Sequence, residues 1–294
     1  MAKENLTHKQ QIANNRVVAA EMLAKRKTED RRRKIATWST VGVIVAALAT
    51  ALTLVIVSSI QDKLPVSDMS PTAMSSNGAI LTSLTEVVKG NGYNLETGKP
   101  EESKTLLEDS KVPHIELYID YDCPHCKEFE EQNGTFLNSL LETKKATVEY
   151  KPIVVIGSNL SISGANAAAC VAEYAPNRFS ELNTVLFEQN GKQNVSVSNT
   201  VKTLNIEGEA GEQVTSCVSD KVFSKWVDSA SLHALERVDA SNAKMVTGTP
   251  TLIIDGVKYP YAPDQFETFM NAMIGGGLSV EEVIKQADET NKSK

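Results

Sequence analysis

His114-Ile115-Glu116-Leu117-Tyr118-Ile119-Asp120-Tyr121-Asp122-Cys123-Pro124-His125-Cys126-Lys127-Glu128-Phe129 passes from a largely apolar, strand-like run into a helix-like one. Two cysteines stand two residues apart at the junction. That spacing serves thiol and disulfide exchange, because one sulfur can attack or be attacked while the other is close enough to resolve the mixed disulfide. A helix that begins at the first cysteine aims backbone N–H groups and the positive end of its dipole at that sulfur, which favours the thiolate.

Downstream of the motif, Phe129, Phe136, Leu137, Leu140 and Leu141 recur at helical spacing through about Glu142. Ala146 to Ile156 is β-branched and buried in character, which completes a β-α-β unit. Much later, Thr251-Leu252-Ile253-Ile254 reads as a short strand, Asp255-Gly256 as a hairpin turn and Val257-Lys258-Tyr259 as its partner. A closing helix is expected over Pro263 to Ile274, stopped by Gly275-Gly276-Gly277. Between these halves, residues 160 to 244 carry only helical periodicity, at Ala165 to Tyr174, Arg178 to Gln189, Ser198 to Leu204 and Gly211 to Arg237. The expected class is therefore α/β with an inserted helical block.

Charge is unevenly distributed along the 294 residues, whose formal net charge is −7. Residues 1–34 carry +6, residues 35–60 carry none, and residues 61–294 hold −13. The uncharged run Ile35 to Ile60 has 26 residues and would be about 39 Å long as a helix, enough to span a bilayer. Arg31-Arg32-Arg33-Lys34 directly before it predicts a cytoplasmic N-terminus, which sends the rest of the chain outward. A cleaved signal peptide is the alternative, with Ala47-Leu48-Ala49 or Ala49-Thr50-Ala51 as the imitation cleavage site. The expected organisation is a cytoplasmic basic tail over 1–34, a transmembrane helix over 35–60, and a linker with an N-terminal extension over 61–111. A main domain over 112–275 and a C-terminal tail over 276–294 complete it.

Cys123-Pro124-His125-Cys126 at a strand-to-helix junction, with Gly248-Thr249-Pro250-Thr251 before a strand and an Asp-Gly hairpin, resembles the thioredoxin fold. With the helical insertion, the chain looks like the DsbA-type extracytoplasmic disulfide oxidoreductases, in the membrane-tethered form of Gram-positive and actinobacterial relatives. The resemblance implies that Cys123 is the exposed nucleophile and Cys126 the more buried resolving thiol. It implies a cis peptide at Thr249-Pro250 that packs against the disulfide and presents Thr249 backbone to an extended substrate. It also implies that the imidazolium of His125 stabilises the Cys123 thiolate, as the DsbA pattern has it, while Pro124 preorganises the first helical turn. Unfolded secreted proteins would be the substrates. A quinone-linked membrane reoxidase of the DsbB or vitamin K epoxide reductase type would be the partner. No cofactor beyond the Cys123-Cys126 disulfide, no metal and no nucleic acid are expected.

Other readings stand beside this one. The same cysteines could serve a reductase or isomerase, or a nonenzymatic binding or chaperone module with a structural bridge. Half a zinc site lacks its second cysteine pair. Cys170 and Cys217 fall in the inserted block and make an even cysteine count. A structural disulfide suits an oxidising compartment, and similar actinobacterial relatives carry such a second pair; two buried free thiols or a relay pair are the alternatives. One departure concerns protons. Many members of the family have an acid six positions before the first cysteine, where this chain has Leu117, and the adjacent Glu116 belongs to the opposite strand face. Asp120 and Asp122 are nearer the motif and read as solvated or capping carboxylates.

Overall fold

The computed structural model describes residues 66–260 and 262–292. The basic segment 1–34 and the apolar run 35–60 lie outside these residues. Among the described residues, no helix is long and apolar enough to cross a membrane.

The sheet has five strands: β1 (Ala79–Leu81), β2 (His114–Ile119), β3 (Thr147–Pro152), β4 (Thr251–Ile254) and β5 (Val257–Lys258), in the order β1-β3-β2-β4-β5. β2 and β3 are parallel, joined through helix α2 (Pro124–Glu142), with Leu117 opposite Tyr150. β4 returns antiparallel to β2, pairing Leu252 with Leu117. Asp255 and Gly256 take the positive φ values, 49° and 85°, that a tight hairpin to β5 needs. β1 adds to the far edge antiparallel to β3. It comes from an extension that also holds the short helix α1 (Ser103–Leu106), a segment whose elements the sequence left unresolved.

Alternation along β2 and β3 separates two chemistries. Ile115, Leu117, Ile119, Val148 and Tyr150 join Phe129, Leu137 and Cys126 in the main core under α2. The opposite face carries His114, Glu116, Tyr118, Glu149 and Lys151, and Glu116, Glu149 and Lys151 are buried there as an ion-paired set.

The inserted block runs α3 (Asn159–Tyr174), α4 (Phe179–Phe187), α5 (Val197–Lys202), α6 (Gly208–Ser219) and α7 (Ser224–Glu236). α3 is its axis. Ala165, Ala167, Ala168, Ala169 and Ala172 are buried along it, and such small side chains let neighbouring helices approach closely. Gly164 has a specific duty, since a Cβ there would stand 2.9 Å from the Tyr121 ring. The sequence predicts one helix over Gly211 to Arg237, whereas the chain breaks after Ser219 with Lys221 at φ 52°.

The closing helix α8 (Phe266–Gly276) ends at Gly277 in the left-handed conformation, φ 61°. The segment read as a C-terminal tail carries a further helix, α9 (Val280–Lys292), which sets Val280 and Val283 against the core.

Candidate active site

Cys123 is the N-cap of α2, with φ −78° and ψ 118°, and Pro124 occupies the first turn where its missing N–H is not needed. The first-turn N–H groups of Cys126 and Lys127 donate to the Cys123 carbonyl at 3.1 and 3.2 Å. The two thiols are unbonded. Cys126 is 1% exposed and Cys123 6%, so Cys123 is the more open sulfur but is less exposed than the sequence predicts.

Thr249 reaches both sulfurs. Its carbonyl accepts from the Cys123 thiol at 3.2 Å, its side-chain hydroxyl donates to Cys126, and the Thr249-Pro250 peptide is cis. The backbone of Asp120 is also hydrogen-bonded to Cys126. Burial pushes the Cys126 thiol well above the ordinary range, and the bonds from Asp120 and Thr249 offset this in part. Deprotonating Cys126 is therefore the difficult step at this centre.

His125 lies between the two cysteines in the first turn of α2. Its side chain is 80% exposed and its Nδ1 faces Glu128 at 3.5 Å. Among the described residues its ring makes no hydrogen bond to either sulfur.

The nearby acids divide by role. Asp120 is buried and fully employed: one carboxylate oxygen accepts from the Asp122 N–H and the Ser161 hydroxyl, the other from the N–H groups of Val155 and Ile156. It fastens the β3–α3 loop beside the cysteines. Asp122 is half-buried, and its backbone N–H donates to Asp120 Oδ1 at 2.9 Å. Glu116 is on the opposite sheet face, paired with Arg237 and Lys151, as strand alternation requires.

Sequence reasoning missed Glu130. It lies four residues after Cys126 on α2, hence on the same helical face. Burial raises its carboxyl from 4.5 to about 7, against the hydrogen bond from the Tyr150 hydroxyl. Its Oε2 is buried without a hydrogen-bond partner among the described residues. Gly134, one turn further on, leaves the room it uses, since a Cβ there would stand 3.0 Å from Glu130 Oε1. The available signal was the four-residue spacing from Cys126 next to the core residue Phe129. Tyr150, Glu130's partner, stands opposite Leu117 across the β2–β3 register.

Cys170 and Cys217 are joined in a disulfide between α3 and α6, with Cα atoms 5.8 Å apart. They stand apart from the reactive pair as a covalent tie within the helical block. Among the described residues no cluster of His, Cys, Asp or Glu could hold a metal ion.

Comparison with known proteins gives a thioredoxin family model that matches residues 107–272. No curated protein matches the chain. Among solved structures, DsbA from Mycobacterium tuberculosis in its reduced form is 20% identical, with a TM-score of 0.48, covering 72% of this chain and 99% of that one. MdbA, a thiol-disulfide oxidoreductase from Corynebacterium diphtheriae, is 18% identical, with a TM-score of 0.46, covering 71% and 96%. Oxidised BdbD from Bacillus subtilis is 14% identical, with a TM-score of 0.48, covering 75% and 100%. The cysteines at the head of α2, Thr249-Pro250 ahead of β4 and a family match over more than half of the sequence agree: the chain belongs to the thioredoxin family.

Proposed function

We propose that the chain is a membrane-anchored thiol:disulfide oxidoreductase that works outside the cytoplasm and introduces disulfides into secreted polypeptides. The observation that carries this reading is the contact of Thr249 with both sulfurs. It joins the cysteine motif to the cis-proline loop in a single redox centre rather than a structural bridge. The orientation is supported by Arg31-Arg32-Arg33-Lys34 before the uncharged run 35–60, and the oxidising compartment by the Cys170–Cys217 bond.

The cycle begins with the Cys123-Cys126 disulfide. A substrate thiolate attacks Cys123, a substrate–Cys123 bond forms, and Cys126 leaves with the electron pair and takes up a proton. A second substrate thiolate attacks the substrate sulfur of that mixed disulfide and expels Cys123. The substrate has then lost two electrons and two protons, and the enzyme holds a dithiol. Burial that favours protonated Cys126 favours this dithiol and so the oxidising direction. Glu130 supplies the proton to Cys126 in this step and receives it again on reoxidation. A quinone-linked membrane partner of the DsbB or vitamin K epoxide reductase type accepts the two electrons, and the anchor keeps both in one plane.

Two measurements test this. Cys126→Ala should accumulate mixed disulfides through Cys123 in cells, and the Cys123/Cys126 couple should titrate well above the roughly −270 mV of thioredoxin. Absence of adducts removes disulfide exchange as the function. A thioredoxin-like potential without oxidation of a reduced unfolded substrate removes the oxidase direction.

A further inference from the structure

The sheet face turned away from the cysteines forms the floor of a cavity of about 900 Å³, within the range of small-molecule sites. The floor is Glu116 and Tyr118 of β2 with Lys151 of β3. One wall is the extension around α1, including Leu107, and the other is the end of α7 with Arg237. Most of the surface offered is apolar.

Stability alone does not call for such a floor. Buried ion pairs are often matched or surpassed by apolar residues of similar volume, yet Glu116, Glu149 and Lys151 are all buried here. Their mutual demands are met. The Lys151 ammonium donates to Glu149 Oε1 at 2.6 Å and to the Ser76 carbonyl at 2.7 Å, with Glu116 at 3.7 Å. Glu116 takes two bonds from Arg237, from Nη1 and from Nη2, and one from the Tyr118 hydroxyl.

Arg237 is the member with capacity left. Of its five N–H bonds, two on Nη1 go to Glu116 and Tyr118 and one on Nη2 goes to Glu116. The Nε–H and the second Nη2–H meet no acceptor among the described residues. These two lie on the same edge of the guanidinium and point in the same direction, a fork that fits a planar carboxylate bidentately. The side chain is 32% exposed, held from beneath by Glu116, so its free edge is the one presented to the cavity it lines.

We infer that this cavity binds a small monocarboxylate with an apolar body, its carboxylate on the free edge of Arg237 and its body against Leu107 and the α7 wall. Lys104 adds positive charge on the extension side. Glu101, Glu102, Glu236 and Asp255, also on the lining, penalise each added negative charge, so a dianion such as phosphate is disfavoured more than a single carboxylate held by the two Arg237 N–H groups. The site is separated from Cys123 and Cys126 by the sheet itself and does not depend on the redox reading.

The test is calorimetric titration of the full chain in lipid nanodiscs with 3-phenylpropionate, 3-phenylpropanol, 3-phenylpropylamine and inorganic phosphate, with empty nanodiscs subtracted. Saturable one-to-one binding of 3-phenylpropionate is expected, with the alcohol, the amine and phosphate each about tenfold weaker or more. The double variant Glu116→Gln/Arg237→Gln avoids a lone buried charge and should lose about tenfold. Leu107→Glu, on the other wall and clear of the ion pair, should lose a similar factor while Arg237 is intact. No saturable binding of the carboxylate, or an amine or alcohol that binds as well, overturns the inference. So does undiminished binding in a variant whose unfolding transition matches that of the unaltered chain.

Discussion

Glu130 puts a carboxyl whose midpoint is raised to about 7 one helical turn from a thiol that burial keeps protonated. The groups facing it are Tyr150 and Tyr121, both raised by burial and by Glu130 itself. A carboxyl raised in the folded state binds more protons than it does in the unfolded chain between 4.5 and about 7. Its stabilising influence is therefore complete at low pH and lost as pH rises through that window. Glu130→Gln should raise stability at pH 8 by about 3 kcal/mol and leave it nearly unchanged at pH 4, read from denaturant unfolding at the two pH values. If Glu130 also handles the Cys126 proton, the variant will slow release of the mixed disulfide near neutral pH, and stopped-flow exchange will register the change. Thr249 makes a separate prediction. Thr249→Val removes the hydroxyl bond to Cys126 and should cut the Cys126 alkylation rate about fivefold in a Cys123→Ser background, with Thr249→Ser restoring it.

At the scale of elements, Glu149 of β3 fastens the extension to the sheet. It accepts from the Ser76 and Ser103 hydroxyls at 2.6 Å each, contacts His114 Nε2 at 3.0 Å and pairs with Lys151. Burial alone would raise its carboxyl; Lys151 and His114 outweigh that and hold it below the usual carboxylate range. The stability it contributes is present at neutral pH and is lost as pH falls below the ordinary carboxylate midpoint. Glu149→Ala should cost roughly 3–5 kcal/mol by leaving Lys151 buried without its main partner. Limited proteolysis should then cut first between residues 82 and 107. β2, α2, β3 and the β4–β5 hairpin were legible in the sequence because alternation, the cysteine motif and Asp255-Gly256 each mark a boundary locally. β1 was not, since three residues carry too little pattern. The break between α6 and α7 was hidden because Lys221 takes a left-handed turn with no glycine or proline to announce it. Glu130 escaped for another reason: the four-residue spacing from Cys126 marks only its helical face, whereas its burial is made with Tyr150 of β3 and the core around it, which no local window contains.

For the molecule as a whole, the helical block is tied to itself by Cys170–Cys217 and to the redox centre by non-covalent contacts. Tyr121, two residues before Cys123, fits against Gly164 of α3, donates its hydroxyl to Asn183 at 2.5 Å and lends its carbonyl to Asn190 at 3.1 Å. Cys170→Ser/Cys217→Ser should cost roughly 2–4 kcal/mol of stability and leave the potential of the Cys123/Cys126 couple unchanged. A shift in that potential would instead mark the pair as a relay. β2 itself serves two tenants by parity. Its odd-numbered residues roof the redox core and its even-numbered residues floor the opposite cavity, so substitutions can tune either site without touching the other. A one-residue insertion or deletion in β2 is a different kind of event: it exchanges the parities and would abolish both sites in one step.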